Sequence, residues 1–204
     1  MKVGIIGSGD IGGPLGRLWT AAGHEVFFSS RNPSDLADLA ASAGPSADYG
    51  TVDEAIDFSD VLLEAVPFGA AMKLSPERYA GKTLISASNY YPECDGNIDL
   101  GGLSQSEAFA ARLPQTKVVK AFNMMFAAEM AARADGKTTK RIAILLAGDD
   151  AEARAIAARL VEDAVFAPVD AGALANGRFL ESGGPLYAKR MSEGEARRGL
   201  ENVP

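Results

Sequence analysis

Gly7-Ser8-Gly9-Asp10-Ile11-Gly12 directly follows an apolar run (Val3, Ile5, Ile6) and opens into a helical pattern of Leu15, Leu18, Trp19 and Ala22. Glycines at the first, third and sixth places of a strand-to-helix turn meet the requirement for a dinucleotide site. Gly7 permits the tight turn, and Gly9 removes a side chain where a pyrophosphate must come close. Gly12 lets the helix press against the strand. Phosphates would then meet the free backbone N–H groups at the positive end of that helix. The motif alone is weak in a chain with 22 glycines. Its position after a first strand and before a second one gives it weight.

The end of the second strand sharpens the reading. After Ala22-Gly23-His24, a helix stop, Glu25-Val26-Phe27-Phe28-Ser29 reads as a strand that runs out into Ser30-Arg31-Asn32. An NAD site carries Asp or Glu about 20 residues beyond the glycines, on the ribose 2′-hydroxyl. Here the matching position is Ser30, followed by Arg31. A carboxylate repels a 2′-phosphate, whereas a hydroxyl hydrogen-bonds it and a guanidinium pairs with it. The expected cofactor is NADP(H).

The 204 residues, 47% of them hydrophobic, suffice for one good-sized domain or one plus a small appendage. A net charge of −7, with 20 basic and 27 acidic residues and no long like-charge run, argues against nucleic-acid or membrane-surface partners. One cysteine, Cys94, and one histidine, His24, leave no internal disulfide and no Cys/His metal cluster. The chain enters a strand at once, without the pattern of a secretory signal, and holds no apolar run approaching a membrane span. A cytoplasmic location is expected.

Helical patterns alternate with short β-rich runs over most of the length, as in a parallel sheet wrapped by crossover helices. Thr51 with Glu54 and Ser104 with Glu107 have capping-box spacing. The strand Asp60 to Val66 ends in Ala65-Val66-Pro67, at the carboxyl edge where open α/β sheets bind ligands, so these residues are expected along the ribose and nicotinamide side. The strand Lys82 to Ser88 leads to Asn89, which either hydrogen-bonds the cofactor or simply makes the turn. Lys117 to Phe122 brings Asn123 to a third carboxyl edge, with Met124 and Phe126 expected to floor a pocket for a flat ring and Met125 to fill core. Arg141 to Gly148 reads as a fully buried strand, and Asp149-Asp150 begins a long amphipathic helix. Val165 to Asp170 reads as a final strand that Pro168 assigns to an edge. A glycine-broken cap follows, in which Gly184, Pro185 and Leu186 are expected at the acceptor side. The polar tail from Ser192 is expected to be frayed or laid against a partner subunit.

With these residues in hand, the chain resembles the NADPH-dependent coenzyme F420 oxidoreductase family, including its bacterial dinucleotide-binding branch and the cytoplasmic domain of the Steap metalloreductases. The resemblance rests on Gly7 to Gly12, on Ala22-Gly23-His24-Glu25-Val26 leading to Ser30-Arg31, and on Ala65-Val66-Pro67. It rests further on Val119-Lys120-Ala121-Phe122-Asn123, on Ala147-Gly148-Asp149-Asp150 and on Glu181 to Tyr187. It implies that the glycine loop holds the pyrophosphate, that Ser30 and Arg31 hold the 2′-phosphate, and that Ala65 to Pro67 flank the nicotinamide. Two departures stand out. Asp10 puts a carboxylate in the phosphate loop, and Asn89-Tyr90-Tyr91-Pro92 replaces a more compact Asn-Pro turn.

The expectation is a Rossmann-type doubly wound parallel sheet over residues 1–119, with a smaller α/β part over 120–204 closing the cofactor cleft. A homodimer would fit the apolar helix after Asn123. The function implied is hydride transfer between NADP(H) and a small-molecule redox acceptor, coenzyme F420 or a flavin. An anionic acceptor would need positive charge at the rim, for which Lys120, Arg178, Lys189 and Arg190 are the candidates. No catalytic acid, base or metal set stands out, as befits a hydride passing between stacked rings. The alternatives are a reductase of a small imine or ketone, needing a proton donor near Asn123 or Tyr187, and a non-catalytic NADP(H)-binding sensor.

Overall fold

In the computed structural model, which describes residues 1–125, 127–138 and 141–203, the first β-α-β unit is Lys2–Ile6 (β1), Gly12–Ala21 (α1) and Glu25–Ser29 (β2). The continuous apolar character of both strands follows from helices covering both faces of a parallel sheet. A 3-10 turn, Pro33–Leu36, leads into Ala37–Ala43 (α2), Ala47–Gly50 (β3), Val52–Phe58 (α3) and Val61–Glu64 (β4). Phe68–Ala71 (α4), Pro76–Tyr79 (α5), Thr83–Ser86 (β5), Pro92–Asp95 (α6) and Gln105–Arg112 (α7) come next. Lys117–Lys120 (β6), Ala127–Ala134 (α8), Ala143–Gly148 (β7), Ala151–Asp163 (α9) and Ala167–Asp170 (β8) follow. A second 3-10 turn, Leu174–Phe179, and Glu193–Glu201 (α10) complete the chain.

The strand order is β3-β2-β1-β4-β5-β6-β7-β8. The strands from β3 to β6 are parallel, β7 runs antiparallel to β6, and β8 is parallel to β7 at the sheet edge. The fold is therefore the expected Rossmann-type, mostly parallel doubly wound sheet. Its order reverses between β1 and β4, and the crevice at that switch point is where such sheets take ligands.

Trp19 locks the first helix onto the last third of the chain. It is fully buried, its Nε1–H donates to the Leu160 carbonyl of α9 at 2.8 Å, and its ring meets Phe122 edge-on at 5.9 Å. On the other face, Ile6, Ile56, Leu62, Phe68, Tyr79, Leu84 and Phe109 form a second apolar layer. Both expected capping boxes are present, at Thr51 with Glu54 and Ser104 with Glu107.

The tail departs from expectation. Far from being frayed, it is helix α10, opened by a third capping box of Ser192 and Glu195. Its apolar positions are sparse but helically spaced: Ala196 is fully buried, and Leu200 and Val203 pack beside Leu186. Three well-placed apolar residues anchor a segment whose overall polarity conceals them. Among the described residues, no helix is long and apolar enough to cross a membrane.

Candidate functional site

The three motif glycines do three different jobs. Gly7 has φ +97°, and a Cβ there would stand 2.7 Å from Val66 Cγ1 and 2.8 Å from the Ala65 carbonyl oxygen. At Gly12 a Cβ would come within 2.1 Å of the Gly7 carbonyl oxygen and 2.8 Å of Ile5 Cγ2, so helix and strand touch only because it is absent. At Gly9 nothing lies within 4 Å. A Cβ there would project into open space in front of the loop, the space a pyrophosphate needs. The loop is tied to β2 by Ser8, whose Oγ donates to the Ser29 carbonyl at 3.1 Å and accepts from the Ser29 N–H at 3.0 Å.

Helix α1 carries no acidic residue in its first turn, and Ile11 at its N-cap makes no side-chain cap bond. Asp10 is exposed and makes no cap bond to the helix. The backbone N–H groups there stay available to an anion.

A cleft of about 680 Å³ opens over the switch point. It gathers Gly7, Ser8 and Gly9 from the first turn, Ser30, Arg31 and Asn32 from the end of β2, and Ala65, Val66 and Pro67 from the end of β4. Arg31 is exposed and has no hydrogen-bonded or ionic partner among the described residues, while Ser30 Oγ accepts the Asn32 N–H at 3.1 Å. The carboxylate that lines this cleft, Asp35, lies on the 3-10 turn past the strand end. Gly12 and Ile11 sit behind the loop, in the packing of α1. Asp10 lines a neighbouring cleft of about 520 Å³ together with Pro14 and Arg17. Open space at Gly9, a bare helix N-terminus and an unpaired guanidinium fit an NADP-type dinucleotide.

The residues expected on the acceptor side are less exposed. Asn89 Nδ2 donates to the Asn123 carbonyl at 2.8 Å, and Asn123 Nδ2 donates to Asn89 Oδ1 at 3.0 Å and to the Leu180 carbonyl at 2.9 Å. The two amides clamp the carboxyl ends of β5 and β6 to the C-terminal cap. Phe122, at φ +62°, makes the turn that places Asn123 there. Met124 and Leu186 are buried with Leu145, Val169 and Leu180, inside an apolar cluster. Gly184 is set against the 3-10 turn, where a Cβ would meet the Arg178 carbonyl at 2.5 Å, and Pro185 is exposed. Phe126 lies outside the described residues.

One rim assignment is overturned: Lys120 is only 1% exposed, because its strand position turns it inward under the sheet edge. Its ammonium donates to the Ser88 carbonyl. Arg178 and Arg190 are paired with Glu107 at 3.2 Å and Glu129 at 2.9 Å.

Sequence reasoning missed a buried polar line beneath the cleft. Glu64 is fully buried at the end of β4, Ser86 lies on β5 and Ser88 just past it, Lys120 on β6, and Glu181 on the cap. Glu64 accepts from Ser86 Oγ at 2.8 Å and Ser88 Oγ at 3.0 Å, and Glu181 accepts the Gln105 and Ser106 N–H groups at the start of α7. Burial pushes the Glu64 carboxyl above its usual range and the Lys120 ammonium below its own, each opposed by the other's charge. The available signal was a single charge in the otherwise apolar run Val61-Leu62-Leu63-Glu64-Ala65-Val66. Also unforeseen, the Tyr91 and Tyr187 hydroxyls bond to each other, and burial together with that contact raises the Tyr91 phenol.

A glycine cradle at the switch point of a mostly parallel sheet, with an open cleft above it, defines a Rossmann-type dinucleotide-binding protein. Residues 2–90 match the family described as NADP oxidoreductase, coenzyme F420-dependent. The chain is similar to a hypothetical protein of Sinorhizobium meliloti, at 32% identity and TM-score 0.79 over 94% of each chain. A candidate F420-dependent NADP reductase from Arthrobacter sp. FB24 shares the fold at 24% identity and TM-score 0.71, over 87% of each chain. Metalloreductase STEAP3 of Rattus norvegicus is 32% identical over 185 residues, which are 89% of this chain and 36% of that protein. The chain thus spans about a third of the length of the curated relatives it matches. Among the described residues no group of His, Cys, Asp and Glu is arranged to hold a metal ion.

Proposed function

We propose that this protein is an NADPH-dependent reductase that passes a hydride to a flat redox acceptor, a deazaflavin of the F420 type or a flavin. The observation that carries the reading is the single cleft holding both the open glycine turn and an unpaired Arg31 at a strand end that lacks a carboxylate. Gly7 to Gly9 and the first turn of α1 would hold the pyrophosphate. Ser30, Arg31 and Asn32 would hold the 2′-phosphate, and Ala65, Val66 and Pro67 would wall the ribose and nicotinamide side. When bound, NADPH supplies the hydride. The chain's own residues hold the ring, restrict water and present the acceptor, and such a transfer asks little side-chain proton chemistry of them.

The reading is tested by titrating NADPH and NADH into wild type and Arg31→Ala, then offering F420, FMN, FAD, riboflavin and ferric chelates in turn while following loss of the reduced nicotinamide absorbance. The expected result is turnover with one acceptor class and, in Arg31→Ala, a loss of about 2 kcal/mol for NADPH with NADH nearly unchanged. Equal losses for both cofactors would remove the 2′-phosphate assignment. Tight NADPH binding without turnover on any acceptor would favour a sensor.

A further inference from the structure

We propose that Glu64, which lies outside the cleft, is the positioning residue for the nicotinamide half of NADP(H): its carboxylate holds the Ala65-Val66-Pro67 wall against the glycine turn. The inference rests on the NADP(H) reading above.

The hydrogen-bond ladder of β4 runs out at this point. Glu64 is its last residue paired with β5, opposite Ser86, and the Ala65 N–H still reaches the Ile6 carbonyl at 2.9 Å. The next donor, Val66 N–H, lies past the ladder, and Glu64 Oε1 takes it at 2.9 Å. Val66 in turn lies directly over the glycine turn, with Cγ1 2.7 Å from where a Cβ on Gly7 would stand. The carboxylate therefore fixes the Val66 peptide, and with it the side chain that faces the glycine turn.

Its other oxygen is fixed by Ser86 Oγ at 2.8 Å and Ser88 Oγ at 3.0 Å. Lys120, which donates to the Ser88 carbonyl, is the counter-charge. Burying a carboxylate in an apolar strand costs free energy that its hydrogen bonds only offset, so stability alone gives little reason for a charge here. Control of Val66 supplies one. The Ser30 and Arg31 end of the cleft lies across the glycine turn from this wall, so the adenosine 2′-phosphate end is spared.

The test compares affinities for NADPH and for adenosine 2′,5′-bisphosphate, which lacks the nicotinamide half, in wild type, Glu64→Leu and Glu64→Gln. Calorimetry is run well below each variant's Tm. Glu64→Leu is expected to weaken NADPH by about tenfold or more while moving the bisphosphate less than about twofold. Glu64→Gln keeps an oxygen that accepts the Val66 N–H and is expected to return NADPH to within about threefold of wild type. Should Glu64→Leu fail to fold, Ser88→Ala loosens the same carboxylate and is expected to weaken NADPH alone, by about threefold. Parallel loss of both ligands, or of neither, overturns the inference and leaves the NADP(H) reading standing. Wild type that binds neither ligand overturns both.

Discussion

Alanine at Gly9 and alanine at Gly12 separate binding from folding within four residues. At Gly9 the added methyl meets no atom within 4 Å and the backbone is not left-handed, so the folded chain accepts it. Gly to Ala at a compatible position stabilises by about 0.4–1 kcal/mol through the unfolded chain, a Tm rise of roughly 1–4 °C at this size. The same methyl stands where the pyrophosphate must approach the loop. Backing the phosphate away from even one charge-assisted N–H bond costs about 1.5–3 kcal/mol, or roughly 10- to 150-fold in the Kd for NADPH. At Gly12 the methyl would overlap the Gly7 carbonyl at 2.1 Å, so α1 must move off β1, and a Tm loss of several degrees is expected. Differential scanning calorimetry and NADPH titration on the two variants check both halves. A Gly9→Ala protein that binds NADPH like wild type refutes the cradle, and one that melts well below wild type refutes the claim that the space is free.

Trp19→Phe removes the hydrogen bond to Leu160 and leaves a small void between α1 and α9; a loss of about 2 kcal/mol, or roughly 4–8 °C in Tm, is expected by calorimetry. Glu107 is held below its usual range by its bonds from the Ser104 side chain and backbone, then by Arg178. A carboxylate depressed in the folded state contributes stability that is present above its unfolded pKa and lost as pH falls through the folded one. The Tm gap between wild type and Glu107→Gln should therefore be open at neutral pH and close below the ordinary carboxylate range; a gap that widens in acid contradicts the capping role.

The cofactor half of the fold was legible because it is written in backbone requirements. A turn that needs φ near +97° at Gly7, a contact that excludes a Cβ at Gly12 and a strand end without a carboxylate at Ser30 each leave a residue type at a set spacing. The capping boxes at Thr51 and Ser104 were legible for the same reason, since the bond runs between residues three apart. The C-terminal half follows other rules. Lys120 is a rim candidate by the sequence because an anionic acceptor needs positive charge there, and only the pairing of β6 with β5 and β7 shows it turned under the sheet. Asn123 meets Asn89 34 residues away, and Tyr187 meets Tyr91 96 residues away. No local spacing encodes such meetings.

That division has a physical consequence for how the site is built. On the β4 side the wall is held by the backbone ladder as far as Ala65, and at Val66 N–H a side chain takes over from it. From that atom buried hydrogen bonds run through Ser86 and Ser88 to Lys120, whose charge is favoured electrostatically by Glu181 on the cap. The same cap is joined to the loop after β5 by the Ser182 hydroxyl, which donates to the Tyr90 carbonyl at 2.9 Å. Val66, Glu64, Ser86, Ser88 and Lys120 thus belong to one hydrogen-bonded frame, and because a buried polar group left unpaired costs about 1–3 kcal/mol, no member moves without cost to its neighbours. A frame of this kind would suit the proposed hydride transfer, whose rate depends on holding two rings at a set separation.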